Sequence, residues 1–105
     1  MNGKLGQMEA GTSSFTTLYS APPTVDHAVV NITVCNTNNS EANIFIALAM
    51  TLAPNTADFI EYSYPIPARG HLERTALVLS KGENILIRSG SPGVVCRAHG
   101  FEKGA

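Results

Sequence analysis

Side chains capable of acid–base chemistry or metal binding are concentrated in one stretch, DFIEYSYPIPARGHLER, at residues 58–74. His71 and Glu73 share a strand face because they are two residues apart, and Asp58 and Glu61 add two carboxylates. The three histidines of the chain nevertheless lie far apart, and no HExxH, CxxC or acidic calcium loop occurs. The pattern therefore favours ordinary polar residues at strand ends over a catalytic or metal site, and it indicates no cofactor.

Motifs for nucleophilic catalysis and for phosphate binding are absent from the sequence. No Gly-x-Ser-x-Gly elbow is present, and SGSPG at residues 89–93 is better explained as a turn. No glycine run lies between a strand and a helix, which is where a phosphate loop would be. We therefore predict that the protein is not an enzyme.

Charge and hydropathy limit the classes of partner. The net charge is −1 and the seven Lys and Arg residues are scattered singly, so no basic stripe is available for a nucleic-acid backbone. No segment approaches the roughly 20 apolar residues that a membrane span needs. The N-terminal segment MNGKLGQMEAGTSS also lacks the apolar core of a signal peptide. We expect a soluble protein made in a cytoplasm, with neither nucleic acid nor membrane as partner.

The two cysteines are predicted to face different sides of a sheet. Cys35 falls on the opposite face from Val34 in an alternating segment, whereas Cys96 shares the apolar phase of Val94. Two free thiols are therefore favoured over the alternative of a disulfide closing a long loop.

Short alternating segments recur along the chain, with turn signals about every 8–12 residues. ANIFIALAMTL is ambiguous because Ala, Leu and Met favour a helix, but its two-residue period and two apolar faces favour a central strand. We predict an all-β fold, a single-domain antiparallel β-sandwich of jelly-roll or immunoglobulin-like type with about seven short strands, over residues 14–105. Residues 1–13, rich in Gly and Ser, are expected to form a flexible N-terminal arm.

The prolines and aromatics of residues 58–74 predict a stiffened corner at the surface. Pro65 and Pro67 are incompatible with a central strand through YPIPARG. Tyrosine and phenylalanine rings here could stack on sugar rings, but with aromatics at only 7% of the chain, packing at strand ends is the favoured interpretation. The corner therefore either locks the sandwich or forms an interface.

Arg74 interrupts the apolar phase formed by Leu72, Ala76 and Val78. A guanidinium on that side would be costly to bury without a partner, so we predict an ion pair with Glu61 or in the neighbourhood of Glu73 that ties the corner to the adjacent strand. The alternative is a contact with a neighbouring subunit.

Six segments in order carry a resemblance to a known family: TTLYSAP, VNITVCN, IALA, ADFIEY, LERTALVLSKGENILIRS and HGFE. The series resembles the small virion structural proteins of tailed bacteriophages and covers nearly the whole chain after residue 14. SAPPTVDHA departs from the pattern, because the family has a Gly-containing turn there, and this leaves the shape of that loop open.

The resemblance implies a non-enzymatic building block of a virion, made in the host cytoplasm and assembled on a capsid or tail lattice through its sandwich surface and its N-terminal arm. A capsid decoration role is slightly favoured over a tail accessory role, and a carbohydrate- or receptor-binding module is the alternative. The expected partners are major capsid or tail proteins and further copies of the chain in a homo-oligomer. The candidate interface residues are Tyr19, Phe59, Tyr62, Tyr64, Arg69 and Arg74.

Overall fold

The structure is a computed structural model that describes residues 2–104, and it confirms the all-β antiparallel sandwich. Eight strands form two four-stranded sheets, one more strand than the approximate number predicted. The strands are β1 (Asn2–Glu9), β2 (Thr16–Ser20), β3 (Val25–Asn36), β4 (Ala42–Ala49), β5 (Phe59–Ile66), β6 (His71–Ser80), β7 (Asn84–Ser89) and β8 (Val94–Gly104). A short 3₁₀ helix, Thr56–Asp58, precedes β5.

The strand order identifies the type of sandwich. The first sheet has the order β1-β8-β3-β6 and the second has the order β2-β7-β4-β5. Strand β1 therefore lies beside β8, β2 beside β7, β3 beside β6 and β4 beside β5, as if one long hairpin were rolled into a double sheet. This arrangement is the jelly roll, so the immunoglobulin-like alternative does not apply.

The core lies between the two sheets and is built from strands that alternate in burial. Strand β3 buries every second residue from Ala28 to Asn36, whereas the residues between them are partly exposed. Strand β4 is central in its sheet and is apolar on both faces, as the sequence predicts. The largest fully buried apolar side chains are Ile32, Ile44, Ile46, Ile66, Leu79, Ile85, Leu86, Ile87, Val30, Val34 and Val94.

The structure corrects the predicted flexible arm over residues 1–13 and the predicted domain start at residue 14. Residues 2–9 form β1, which pairs with β8 from Asn2 opposite Phe101 to Glu9 opposite Val95. Leu5 and Met8 pack against the core. Two apolar residues among glycine and polar residues were too weak a signal to predict a strand. Strand β8 is therefore hydrogen-bonded along both edges, to β1 on one side and to β3 on the other. Met1 lies outside the described residues.

The cysteines have the predicted orientations. Both are free thiols, with Cys96 buried in the core and Cys35 partly exposed on the outer face of the first sheet. Burial raises the pKa of the Cys96 thiol to about 12, so this thiol stays protonated at neutral pH.

A β-bulge in β6 changes the side-chain phase that the sequence suggested. Ala76 has φ 56° and its backbone N–H donates to the Asn31 side chain (2.9 Å), while the β3–β6 register shifts between Val30 and Ile32. The shift places Leu77 against the core and leaves Val78 63% exposed. The predicted common phase of Arg74 with Ala76 and Val78 is therefore wrong, because regular alternation ends at the bulge.

Candidate interaction surface

Arg74 forms the intramolecular ion pair that the sequence predicts. Its Nε and Nη2 atoms both contact Oε2 of Glu61, and its guanidinium also lies over the Tyr64 ring, 5.7 Å from the centroid. The Glu61 side chain is 10% exposed and that of Arg74 is 36% exposed. Because β5 and β6 are edge strands of different sheets, the pair joins the two sheets along one open side of the sandwich.

Arg74→Ala is expected to lower the free energy of unfolding by about 2 kcal/mol. This lies between the values for exposed and for fully buried ion pairs, because the Glu61 carboxylate would remain almost buried without its cation. Urea unfolding followed by circular dichroism measures the change. The double variant Glu61→Leu/Arg74→Met is the control and should recover most of the loss. A loss no larger than that of an exposed pair, or a double variant less stable than Arg74→Ala, would contradict the assignment.

Tyr19 is buried rather than available to a partner, so its predicted place at an interface is corrected. Its side chain is 7% exposed, and its hydroxyl donates to Oε2 of Glu102 on β8 (2.6 Å). Burial and this hydrogen bond raise the pKa of Tyr19, and the same hydrogen bond holds the pKa of Glu102 below its usual range. The contact joins the two sheets because β2 and β8 belong to different sheets.

Arg69 lies in the predicted corner between β5 and β6, and its hydrogen bonds hold this corner against the β3–β4 loop. Its Nη2 donates to Asn39 Oδ1 (2.6 Å) and its backbone N–H donates to the Asn38 carbonyl (3.1 Å). The buried Asn36 amide reaches the same corner through the carbonyls of Ile66 and Pro67, both at 3.1 Å. Of the predicted interface residues, Arg69 and Arg74 thus make contacts within the chain.

The remaining predicted residues lie on β5, and two of them belong to an aromatic cluster on the outer face of the second sheet. We define the aromatic surface as Phe15, Phe45, Phe59, Tyr62 and Arg88. Phe59 and Tyr62 meet edge to face with ring centroids 5.0 Å apart, as do Phe45 and Tyr62 at 5.1 Å. Tyr62 is 70% exposed, so the rim of this surface is open to a partner.

Buried apolar residues beneath the rings explain why the aromatic surface forms. Ala47 and Leu86 lie side by side on the two central strands and are fully buried, although they face away from the main core. Phe15 comes from the segment before β2 and Phe59 from β5, and their rings meet 5.7 Å apart. The outer face of this sheet therefore carries a second, smaller apolar cluster instead of a uniformly polar surface.

Arg88 gives the aromatic surface a cation. Its guanidinium lies 4.2 Å from the centroid of Phe45 and 5.6 Å from that of Phe15. It forms no ion pair with any residue in the range 2–104. Phe15, Phe45 and Arg88 were not among the interface residues predicted from the sequence. The sequence signal that could have indicated this surface was Phe45, which lies on the second apolar face of β4.

The candidate acid–base residues do not converge. Asp58 accepts the backbone N–H of Asn55 at the start of the 3₁₀ helix (2.7 Å), and Glu61 pairs with Arg74. His71 and Glu73 do lie on one strand face, with Nε2 and Oε1 3.6 Å apart. Within the described part of the chain, no three His, Cys, Asp or Glu side chains are placed to hold a metal ion.

Comparison with known proteins gives no assignment. Among residues 2–104, no helix is long and apolar enough to cross a membrane. No family model, no curated protein and no solved structure matches this chain.

Proposed function

We propose that this protein is a non-enzymatic structural component of a tailed-phage virion. In this role it packs on a capsid or tail lattice through the outer face of its second sheet, and capsid decoration is favoured over a tail accessory role. Its partners are the major capsid or tail proteins and further copies of itself in a homo-oligomer. The predicted contribution of an N-terminal arm is dropped from the proposal, because residues 2–9 are part of the sandwich.

The jelly-roll order is compatible with this role. Jelly rolls are the common fold of viral capsid domains, and lectin domains share the same fold. The ordered segments from TTLYSAP to HGFE supply the resemblance to phage virion proteins.

The aromatic surface is the observation that carries the proposal. Protein interfaces are enriched in Tyr, Phe and Arg at their centres, and this surface combines all three types on one sheet face. Tyr62 is held by Phe45 and Phe59, so ordering it on binding costs little conformational entropy. A rigid aromatic face suits a repeated contact on a lattice better than a site for catalysis.

The test is the mass of the protein in solution by light scattering, followed by cosedimentation with purified capsids and tails of the phage that encodes it. We expect a closed oligomer that binds one of the two particles. Tyr62→Ala should weaken particle binding at least about tenfold, which is the effect typical of a buried aromatic anchor. Phe101→Ala is the matched control, because Phe101 is an aromatic residue 47% exposed on the other sheet.

The outcomes separate the proposal from its alternative. Equal effects of Tyr62→Ala and Phe101→Ala would remove the aromatic surface from the interface. A monomer that binds neither capsids nor tails would overturn the structural role.

A carbohydrate- or receptor-binding module is the second candidate, and the observation that favours it is the exposed Tyr62 ring, which contacts the Phe45 ring beneath the Arg88 guanidinium. Sugar rings stack on exposed aromatic faces, and an Arg beside such a ring can donate to sugar hydroxyls. Binding on a glycan array that is abolished by Tyr62→Ala would support this function. The absence of any glycan response would count against it.

A further inference from the structure

A groove of about 720 Å³ runs along the outer face of the first sheet, on the side of the molecule opposite the aromatic surface. Strands β1, β8 and β3 form it. Its lining includes Lys4, Arg97 and His99 around a floor containing Cys35 and Val95. The aromatic surface does not extend to this groove, and the proposed virion role does not use it.

The groove is cationic although the chain as a whole has a net charge of −1. None of its lining residues is acidic. The carboxylate of Glu9 on β1 accepts the Gly93 backbone N–H (3.0 Å), and that of Glu73 on β6 faces His71 (3.6 Å). Within residues 2–104, Lys4 and Arg97 form no ion pair, so their charges are available to a ligand.

The spacing of the cations matches an extended chain. Lys4 lies opposite His99 on the neighbouring strand, which places it diagonally across from Arg97, about 7–8 Å away. Both side chains line the groove, and the Nζ of Lys4 donates to Gln7 Oε1 (3.5 Å). A peptide in β conformation repeats its side chains with the same period, so alternate carboxylates would face successive cations of the groove.

We propose that this groove binds an extended acidic segment of a partner protein, with Lys4 and Arg97 as the principal carboxylate contacts. The exposed cations supply charge complementarity, and Val95, which is 40% exposed, gives the floor an apolar contact. A nucleic-acid backbone fits less well, because two permanent charges in the groove release few counterions.

The experiment measures fluorescence anisotropy of a labelled peptide of five Asp-Ser repeats with the full chain at pH 7.5 and low salt. The control peptide has five Asn-Ser repeats. We expect the acidic peptide to bind in a salt-sensitive manner and the neutral peptide not to bind. Lys4→Gln/Arg97→Gln should weaken binding by about five- to tenfold, whereas Lys81→Gln, an exposed charge in the β6–β7 turn, should not change it.

Each remaining outcome overturns the proposal. Equal binding of the two peptides, or equal affinities of the double variant and Lys81→Gln, would show that the groove does not select carboxylates. If a short DNA duplex displaced the labelled peptide at a lower concentration than unlabelled peptide does, that result would assign the groove to phosphate instead. An unchanged unfolding midpoint of the double variant ensures that lost binding does not reflect lost folding. Because the assay uses the isolated chain, its result does not depend on particle binding.

Discussion

Asn36→Asp is expected to destabilise the fold by about 4 kcal/mol at neutral pH, the largest effect of any conservative change that we consider. Asn36 is fully buried at the end of β3. Its Nδ2 donates to the carbonyls of Ser40 (2.9 Å), Ile66 (3.1 Å) and Pro67 (3.1 Å), while its Oδ1 accepts the Asn38 N–H (3.0 Å). One amide thus joins the β3–β4 loop to the corner between β5 and β6.

The substitution replaces a donor with a charged acceptor that faces three carbonyl oxygens. Burial and these oxygens both disfavour the ionised carboxyl, so its pKa in the folded protein should lie above the ordinary Asp value of about 3.9. For a carboxyl with a raised folded pKa, the ionisation penalty is absent below the unfolded pKa. It grows as pH rises from the unfolded pKa to the folded pKa and is constant above the folded pKa. The variant should therefore become more stable, relative to wild type, as the solution is acidified.

Asn36→Ala is the matched control, because it removes the same hydrogen bonds without adding a charge. We expect it to cost about 2–3 kcal/mol at all pH values between 4.5 and 7.5. Urea unfolding of both variants at these two pH values gives the comparison. If the difference between Asn36→Asp and Asn36→Ala were the same at both, the carboxylate would not be facing the carbonyl oxygens.

The sandwich was predictable from the sequence because most strands alternate regularly. The alternation in β3 predicts which of its residues face inward. The apolar residues on both faces of β4 predict a central strand. Strand β1 was not predictable, because its burial depends on an open edge of β8, whose residues lie 86 (Glu9 to Val95) to 99 (Asn2 to Phe101) positions away in sequence. The β6 bulge was also hidden, since the Asn31 side chain that satisfies Ala76 belongs to another strand.

The interface residues were less predictable than the fold. A tyrosine in an alternating segment can face the core or the solvent, and sequence alone placed Tyr19 and Tyr62 in one class although they are 7% and 70% exposed. Arg74 was placed correctly because it shares the inward phase of Leu72, ahead of the bulge, where a cation demands a partner. Arg88 was missed because its role depends on Phe15 and Phe45, which come from distant parts of the chain and both lie against its guanidinium.

The two outer faces of the sandwich differ in chemistry, so the proposed particle contact and the proposed peptide contact would use separate surfaces. One face carries aromatic rings around Arg88, and the other carries a cationic groove with Lys4 and Arg97. Proteins that join other proteins need two separate surfaces with different selectivity. Tyr62→Ala and Lys4→Gln/Arg97→Gln should therefore act independently, because their side chains lie on opposite sheets and share no partner.

Gly100→Ala is expected to destabilise the sandwich by about 3 kcal/mol or more. Gly100 lies within β8 between β1 and β3 and has φ 152°. A Cβ atom there would lie 2.0 Å from the Val29 carbonyl oxygen and 3.1 Å from the Val30 Cα. Both are backbone atoms of β3, so no side-chain rotation relieves the contact and the strands must separate. Chemical unfolding measures the loss.

Gly104→Ala provides the matched control on the same strand. A Cβ atom at Gly104 would have no neighbour within 4 Å, so this variant should change the free energy of unfolding by no more than about 0.5 kcal/mol. Gly104 has neither the close backbone neighbour nor the positive φ of Gly100, so the contrast measures these two effects together, apart from any general effect of replacing glycine in a strand. Similar stabilities of the two variants would mean that β8 and β3 are not this close at Gly100, and the register between them would have to be reassigned.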